Sequence, residues 1–375
     1  MNIVADRNLP LAAQAFGPLG DLSLIDTPDF RPETVRRADV LIIRSETNVG
    51  AALLGGSRVG FVGTASIGVD HIDLEYLAAR AIAFANAPGC NSHSVKEYIA
   101  AAVLEAGRRL GSSLRGKTIG IVGAGAVGSK VAVAAEALGL KVRLNDPPLA
   151  RATGDPRYVS LDVIMDADIL TLHVPLTKSG PDPTFHLFDA ARFARLKSAP
   201  LFLNSSRGAV VETSALKEAL ADGRVRAAVL DVWEGEPAID ADLLDRTLIG
   251  TAHVAGYSLE GKFRAVRLVR DALVRHFGLD AAEAPGLEPG PADLPMIAIA
   301  DGEAADEEII RTAVAAAYDI AFDDRLLRTA CARPPAERPE AFARLRSGYR
   351  VRREFGARSV SLPAGRATAG AVLTA

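Results

Sequence analysis

The stretch Thr118-Ile-Gly-Ile-Val122-Gly123-Ala-Gly125-Ala-Val127-Gly128 decides how the rest of the 375-residue chain is read. Its first five residues are a short apolar run, the mark of a strand buried on both faces. The glycines that follow, spaced G-x-G-x-x-G, permit a tight turn, close approach of backbone to a pyrophosphate, and close packing of the next helix on the strand. A helix is predicted over residues 127–138. Its first N–H groups and positive dipole end suit phosphate oxygens. The next apolar run, 141–144, is followed by Asp146, where a dinucleotide fingerprint places an acidic residue. A carboxylate there accepts hydrogen bonds from ribose hydroxyls and repels a 2′-phosphate, so NAD is expected rather than NADP. Gly123, Gly125, Val127, Gly128 and Asp146 are therefore candidate cofactor residues.

Outward from this stretch, short apolar runs alternate with amphipathic stretches of helical length, the pattern of parallel sheets covered by helices. Strands are predicted at 2–4, 22–25, 40–43, 59–62 and 82–85, then at 118–122, 141–144, 169–172, 201–204, 228–231 and 248–251. Longer helices are predicted at 92–110 and 261–277. The expected fold class is α/β: two Rossmann-like doubly wound parallel-sheet domains, one inserted in the other, plus a small C-terminal α+β domain. The expected boundaries are 1–93 with 256–283 for the first domain, 94–255 for the dinucleotide-binding domain and 284–375 for the last. A Gly/Pro-rich linker at about 284–295 introduces the last part, which passes from an acidic half (301–324) to the arginine-rich stretch 344–358.

Composition narrows the partners. With 43 Lys and Arg against 46 Asp and Glu the net charge is −3, and no basic block stands out, so neither nucleic acid nor an anionic membrane is expected as a partner. The hydrophobic fraction of 49% and charged fraction of 24% are those of an ordinary globular chain. No apolar run approaches the ~18 residues of a membrane span. Asp6 and Pro10 interrupt any leader-like segment, so a cytoplasmic location is expected. Cys90 and Cys331 form neither a disulfide framework nor a metal motif, and no histidine pair has ligand spacing, so no metal is expected.

Three residues at predicted strand ends carry the chemistry. Arg207 lies in Asn204-Ser-Ser-Arg207-Gly208, Glu236 in Asp231-Val-Trp-Glu-Gly-Glu236-Pro237, and His253 in Thr251-Ala-His253. An arginine holds a carboxylate with two parallel hydrogen bonds. A histidine beside a glutamate takes a hydroxyl proton, because the carboxylate fixes the tautomer and stabilises the imidazolium. Together they suit oxidation of a 2-hydroxy acid, with hydride passing to the nicotinamide. The other histidines are read structurally: His71 and His186 at turns or strand ends, His93 at a helix start, His173 at a strand end and His276 on a helix face.

With these motifs together, the chain resembles the D-isomer-specific 2-hydroxyacid dehydrogenase family. Gly63-Thr-Ala-Ser-Ile-Gly-Val-Asp-His71 and Ala87-Pro-Gly-Cys-Asn91 resemble its substrate-domain and hinge segments. A narrower likeness, to members acting on a phosphorylated four-carbon hydroxy acid, rests on Ala87–Asn91, Asp231–Pro237, Ala255-Gly-Tyr257-Ser-Leu-Glu-Gly-Lys262 and Tyr349-Arg-Val-Arg-Arg-Glu-Phe355. The resemblance implies that Arg207, Glu236 and His253 are catalytic, that Asp231, Val174 and Gly256 lie at the cofactor, and that the C-terminal domain makes a homodimer. Val174 stands where relatives tend to carry Thr, which removes one hydroxyl contact.

Substrate oxygens are expected at Arg44, Ser45 and Ser66, and at the hydroxyl of Tyr257. Arg350, Arg352 or Arg353 of a partner subunit is a further expectation for the phosphate. Two other readings remain open at this point: a dehydrogenase of the same family acting on another phosphorylated 2-hydroxy acid, and a binding protein that senses the dinucleotide.

Overall fold

The computed structural model describes residues 1–279, 287–290, 296–298 and 306–361. The linker expected at 284–295 and the start of the acidic stretch at 301–305 lie largely outside the described residues. The chain divides into two compact units, Met1–Asn91 with Ser258–Ala292, and Ser92–Tyr257 with Asp293–Ala375.

The first unit is built on five parallel strands, β1 (Asn2–Asp6), β2 (Asp21–Ile25), β3 (Val40–Ile43), β4 (Phe61–Thr64) and β5 (Ala83–Ala85), in the order β2-β1-β3-β4-β5. All four residues of β3 are fully buried, as expected of a central parallel strand. Ile3, Val40 and Ile42 face Val266, Val269 and Leu273 of the helix Leu259–Phe277. Leu41, Ile43 and Val62 face Val35, Leu54 and Leu77 on the other side. The returning helix packs so closely that a Cβ at Gly63 would lie 2.4 Å from Val269 Cγ1, which is why the strand carries glycine there.

The second unit is built on six parallel strands, β6 (Thr118–Val122), β7 (Lys141–Asn145), β8 (Ile169–Leu172), β9 (Leu201–Asn204), β10 (Ala227–Leu230) and β11 (Ile249–Gly250). Their order is β11-β10-β9-β8-β6-β7. The direction of winding reverses between β6 and β8, and ligands of such sheets bind beyond the carboxyl ends of the strands at that point. The two parallel sheets bear out the expected α/β class.

The C-terminal residues join this second unit. Ile309, Ile310 and Val314 of the helix Asp306–Ala317, together with Phe355, share a core with the helix Ser92–Arg109 and with Ile119, Ile169, Leu203 and Val229. Leu327 of the helix Ile320–Cys331 and Phe342 of the helix Arg338–Ser347 join the core on the other face, with Phe202, Leu230 and Trp233. Asp324 accepts the N–H of Gly250 at 2.9 Å, so the helix Ile320–Cys331 covers the edge strand β11. That removes an exposed edge. A short parallel pair, β12 (Ile297–Ala298) and β13 (Val360–Ser361), completes the described part. Cys90 and Cys331 are buried. Among the described residues, no helix is long and apolar enough to cross a membrane.

Candidate active site

Apart from the C-terminal arginines, every candidate of the second unit lies beyond the carboxyl end of a strand of β6–β11. Gly123 follows β6 with φ +90°, and a Cβ there would meet the His173 carbonyl oxygen at 2.5 Å and Val174 Cγ1 at 2.9 Å. A Cβ at Gly128 would lie 1.9 Å from the Gly123 carbonyl oxygen, so both glycines are demanded by the turn itself. Gly125 differs: a Cβ there would meet nothing within 4 Å. The protein therefore does not require glycine at 125, whereas a pyrophosphate approaching the backbone would. The helix Gly128–Ala137 begins after Val127 without a side-chain cap, leaving N–H donors at its start. Asp146, after β7, accepts the Ala124 N–H at 2.9 Å and the Leu149 N–H at 3.0 Å. It thus ties the glycine turn to the next helix and keeps lone pairs for ribose hydroxyls. These features fit a dinucleotide.

After β9, Asn204 shapes the loop that carries Arg207. Its amide donates to the Arg207 carbonyl at 2.9 Å and accepts the Ser206 N–H and hydroxyl at 3.0 and 2.8 Å. A Cβ at Gly208 would fall 2.0 Å from the Trp233 carbonyl carbon, so the loop presses directly on the backbone after β10. The Arg207 guanidinium donates from Nη1 to the Ser206 carbonyl at 2.8 Å.

After β10 and β11 the two loops lock together. Asp231 is 1% exposed and accepts from Thr251 Oγ1 at 2.6 Å, Val254 N–H at 2.8 Å and Ala255 N–H at 2.9 Å. Burial pushes its carboxyl above the usual range, against the pull of His253 and these donors. Tyr98 of the helix Ser92–Arg109 hydrogen-bonds Thr251 Oγ1 at 2.8 Å, and Trp233 Nε1 donates to the Thr251 carbonyl at 2.9 Å. His253 is held with φ +56°, its N–H donating to the Asp231 carbonyl at 2.7 Å. A left-handed backbone at a non-glycine residue costs about 1–3 kcal/mol and persists where surrounding structure enforces it. Its Nδ1 lies 2.8 Å from Glu236 Oε2, while Glu236 Oε1 accepts the Trp233 N–H at 2.7 Å. Burial pushes the Glu236 carboxyl up, but the hydrogen bond and charge of His253, with the Trp233 N–H, bring it below its ordinary value. The pair is an imidazole with one nitrogen fixed by a carboxylate and Nε2 left for a proton exchange. Because β9, β10 and β11 are neighbours in the sheet, the loops that carry Arg207, Glu236 and His253 leave the same edge side by side.

A second imidazole–carboxylate pair was not foreseen. His186 Nε2 lies 2.6 Å from Glu234 Oε1, and Glu234 Oε2 accepts the Thr213 N–H at 3.1 Å. The loop 231–237 is thus held by a histidine on either side. The acidic residue at 234 was the available signal. His173, read at a strand end, hydrogen-bonds Thr171 at 3.0 Å, and burial lowers its pKa to about 3, so it is neutral. Gly256 lies in the turn closed by the Tyr257 N–H and the Val254 carbonyl at 2.9 Å. Tyr257 stands edge-on to Tyr349 at 5.7 Å.

In the first unit, Arg44 pairs with Glu46 at 3.0 Å and Ser45 is exposed. Ser66 donates to the Gly68 carbonyl at 2.9 Å and contacts Thr64 Oγ1 at 3.0 Å, which reaches His71 Nε2 at 2.9 Å. His71, read as a turn residue, is therefore part of the Ser66 chain. Burial and then the charge of Arg44 lower the pKa of Lys262, against the pull of Glu46. Thr47 Oγ1, in the same turn, is buried without a hydrogen-bond partner among the described residues. One expectation needs correction. Arg352 does not project toward a neighbouring subunit: it is 5% exposed and bonded to carbonyls of its own unit, because a buried guanidinium must be paired where it lies.

Comparison with known proteins agrees with this geometry. Residues 90–255 match the family described as D-isomer specific 2-hydroxyacid dehydrogenase, NAD binding domain, and residues 292–371 match a domain of unknown function. The chain is 45% identical over 363 residues to the erythronate-4-phosphate dehydrogenase of Salinibacter ruber, covering 95% of this chain and 92% of that protein. It is 42% identical over 369 residues to the enzyme of the same name from Chromohalobacter salexigens, covering 96% and 94%. Among solved structures, the NAD-dependent formate dehydrogenase of Staphylococcus aureus in complex with NAD is similar, with a TM-score of 0.60 and 26% identity over 74% of this chain and 96% of that one.

Proposed function

The chain belongs to the D-isomer specific 2-hydroxyacid dehydrogenase family, and on that premise we propose that it oxidises 4-phospho-D-erythronate at C2 to (R)-3-hydroxy-2-oxo-4-phosphooxybutanoate, a step toward pyridoxal 5′-phosphate. Bound NAD supplies the acceptor for the C2 hydride. Gly123, Gly125 and Gly128 with the helix start would hold the pyrophosphate, Asp146 would take the ribose hydroxyls, and Val127, Val174, Asp231 and Gly256 are the further cofactor residues of this reading.

Arg207 binds the C1 carboxylate and polarises the oxygen that becomes the C2 carbonyl. His253 removes the C2 hydroxyl proton at Nε2, and Glu236 stabilises the resulting imidazolium through Nδ1. The carrying observation is the 2.8 Å contact between His253 and Glu236. Arg44, Ser45, Ser66 and Tyr257 are the substrate residues of this reading. Of the three C-terminal arginines weighed for the phosphate, Arg350 is also engaged by its own chain, with Asp323 at 3.1 Å.

The reading has the enzyme cytoplasmic and dimeric through residues 284–375, where Phe322 and Val351 are exposed large apolar residues. Light scattering on the purified protein tests this: a two-chain mass is expected, and a monomer contradicts it. NADH formation from 4-phospho-D-erythronate and from 3-phosphoglycerate, measured side by side, tests the activity. A higher kcat/KM for the former is expected. Preference for the latter contradicts the substrate, and NADH binding without turnover of either contradicts the enzyme.

A further inference from the structure

The segment Tyr349-Arg-Val-Arg352-Arg-Glu354-Phe355 follows every strand of the second sheet, yet Arg352, Glu354 and Phe355 are buried within that unit. Arg352 Nη2 donates to the Ser94 carbonyl at 2.5 Å and Nη1 to the Ala255 carbonyl at 3.4 Å. Its charge lies 3.6 Å from Glu97 Oε2, and its guanidinium sits 4.1 Å from the centre of the Tyr318 ring. Phe355 N–H donates to Glu97 Oε1 at 2.7 Å, and Ser94 Oγ donates to Glu354 Oε1 at 3.2 Å. Burying a guanidinium is costly unless carbonyls, a carboxylate or a ring face receive it, and here two carbonyls and a ring face do.

The two carbonyls occupy matching places in the chain. The polypeptide enters the second unit at Ser92 and leaves it at Tyr257, so Ser94 and Ala255 are each the third residue inside a crossing. The Ala255 peptide is gripped at both ends, its N–H by Asp231 at 2.9 Å and its carbonyl by Arg352. Asp231 also receives the His253 N–H on its own carbonyl. One side chain from the C-terminal segment therefore ties the loop of His253 to the helix that begins the unit.

We propose that Arg352 is a positioning residue for the proton-transfer pair: it fixes the loop 251–257 against the start of the helix Ser92–Arg109 and so sets the aim of His253, without touching the reactants. This rests on the reading of His253 as proton acceptor. A planar fork reaches two carbonyls while lying on a ring; an ammonium keeps only the charge.

Full-length Arg352→Met, Arg352→Lys and His253→Ala test it, with NADH binding measured for each. Arg352→Met lowers kcat on the order of 10- to 100-fold while KM and NADH affinity stay within about twofold, and Arg352→Lys restores part of kcat. Should Arg352→Met fail to fold, Arg352→Lys, which keeps the charge against Glu97, carries the test through the same split between kcat and KM. Wild-type kcat in the Arg352 variants beside an inactive His253→Ala overturns this proposal alone. So does a joint loss of kcat, substrate KM and NADH binding that lysine leaves unrepaired, since that is the mark of general damage. Normal turnover in His253→Ala overturns both this proposal and the function it rests on.

Discussion

His253 Nδ1 and Glu236 Oε2 meet at 2.8 Å across 17 residues of chain because the loops after β10 and β11 leave neighbouring strands side by side. The loop after β10 holds both residues. Trp233 N–H holds the far oxygen of Glu236, and Asp231 organises the His253 loop through Thr251, Val254 and Ala255. The imidazole–carboxylate pair is thus the visible end of a buried hydrogen-bond network.

Glu236→Gln keeps an acceptor for the Trp233 N–H but removes the charge that supports an imidazolium. Turnover with saturating substrate should fall about 100-fold or more. Stability should change little, so kcat and a thermal melt on the same preparation distinguish chemistry from folding.

Asp146 bonds the glycine turn through Ala124 and caps the helix Pro147–Thr153 through Leu149. Asp146→Ala should weaken NAD binding and narrow the preference over NADP, because an acceptor and a repelling charge are lost together. The lost cap should also cost about 1 kcal/mol of stability. Titration of both dinucleotides and a denaturant curve check the two effects.

Gly208→Ala forces a methyl onto the Trp233 carbonyl and the Glu234 nitrogen, at 2.0–2.3 Å. Backbone cannot yield as a flexible side chain does, so the loss should be at least about 1–3 kcal/mol, with Arg207 displaced. A lowered Tm together with a raised substrate KM is the expected pair of readings.

The sheet strands were legible because a strand buried on both faces is a short apolar run, and runs at 118–122, 169–172 and 201–204 coincide with β6, β8 and β9. The long helices at 92 and 261 were legible from length and periodicity. The helix Pro147–Thr153 was not predicted: it is short and opens on two prolines, although proline suits a first helical turn and Asp146 is its cap.

Glu97 is buried beside Arg352, and burial raises its pKa to about 7. The folded state therefore holds a proton that the unfolded chain releases near 4.5. Its contribution to stability is full below that value and lost as pH rises toward about 7. Glu97→Gln should flatten this part of the stability profile, by on the order of 1–3 kcal/mol across the window. Thermal unfolding of both proteins at a series of pH values between these limits measures it.

The site was legible in its residue types and only partly in its connections. Asn204, Gly208 and Asp231 stood inside recognisable motifs, but their partners Trp233, Thr251 and Ala255 depend on strand order. His186 and Glu234 lie 48 residues apart, so nothing local joins them. Arg352 misled because an arginine-rich stretch ordinarily faces water, and only the meeting of Ser94, Glu97, Ala255 and Tyr318 makes a place for it inside.

The most direct measurement is the rate of NADH formation from 4-phospho-D-erythronate by His253→Ala, with NADH affinity determined on the same protein. A fall of about 100- to 10,000-fold in kcat with affinity nearly unchanged is predicted. Turnover close to that of the unaltered enzyme would contradict the assignment of His253 as proton acceptor.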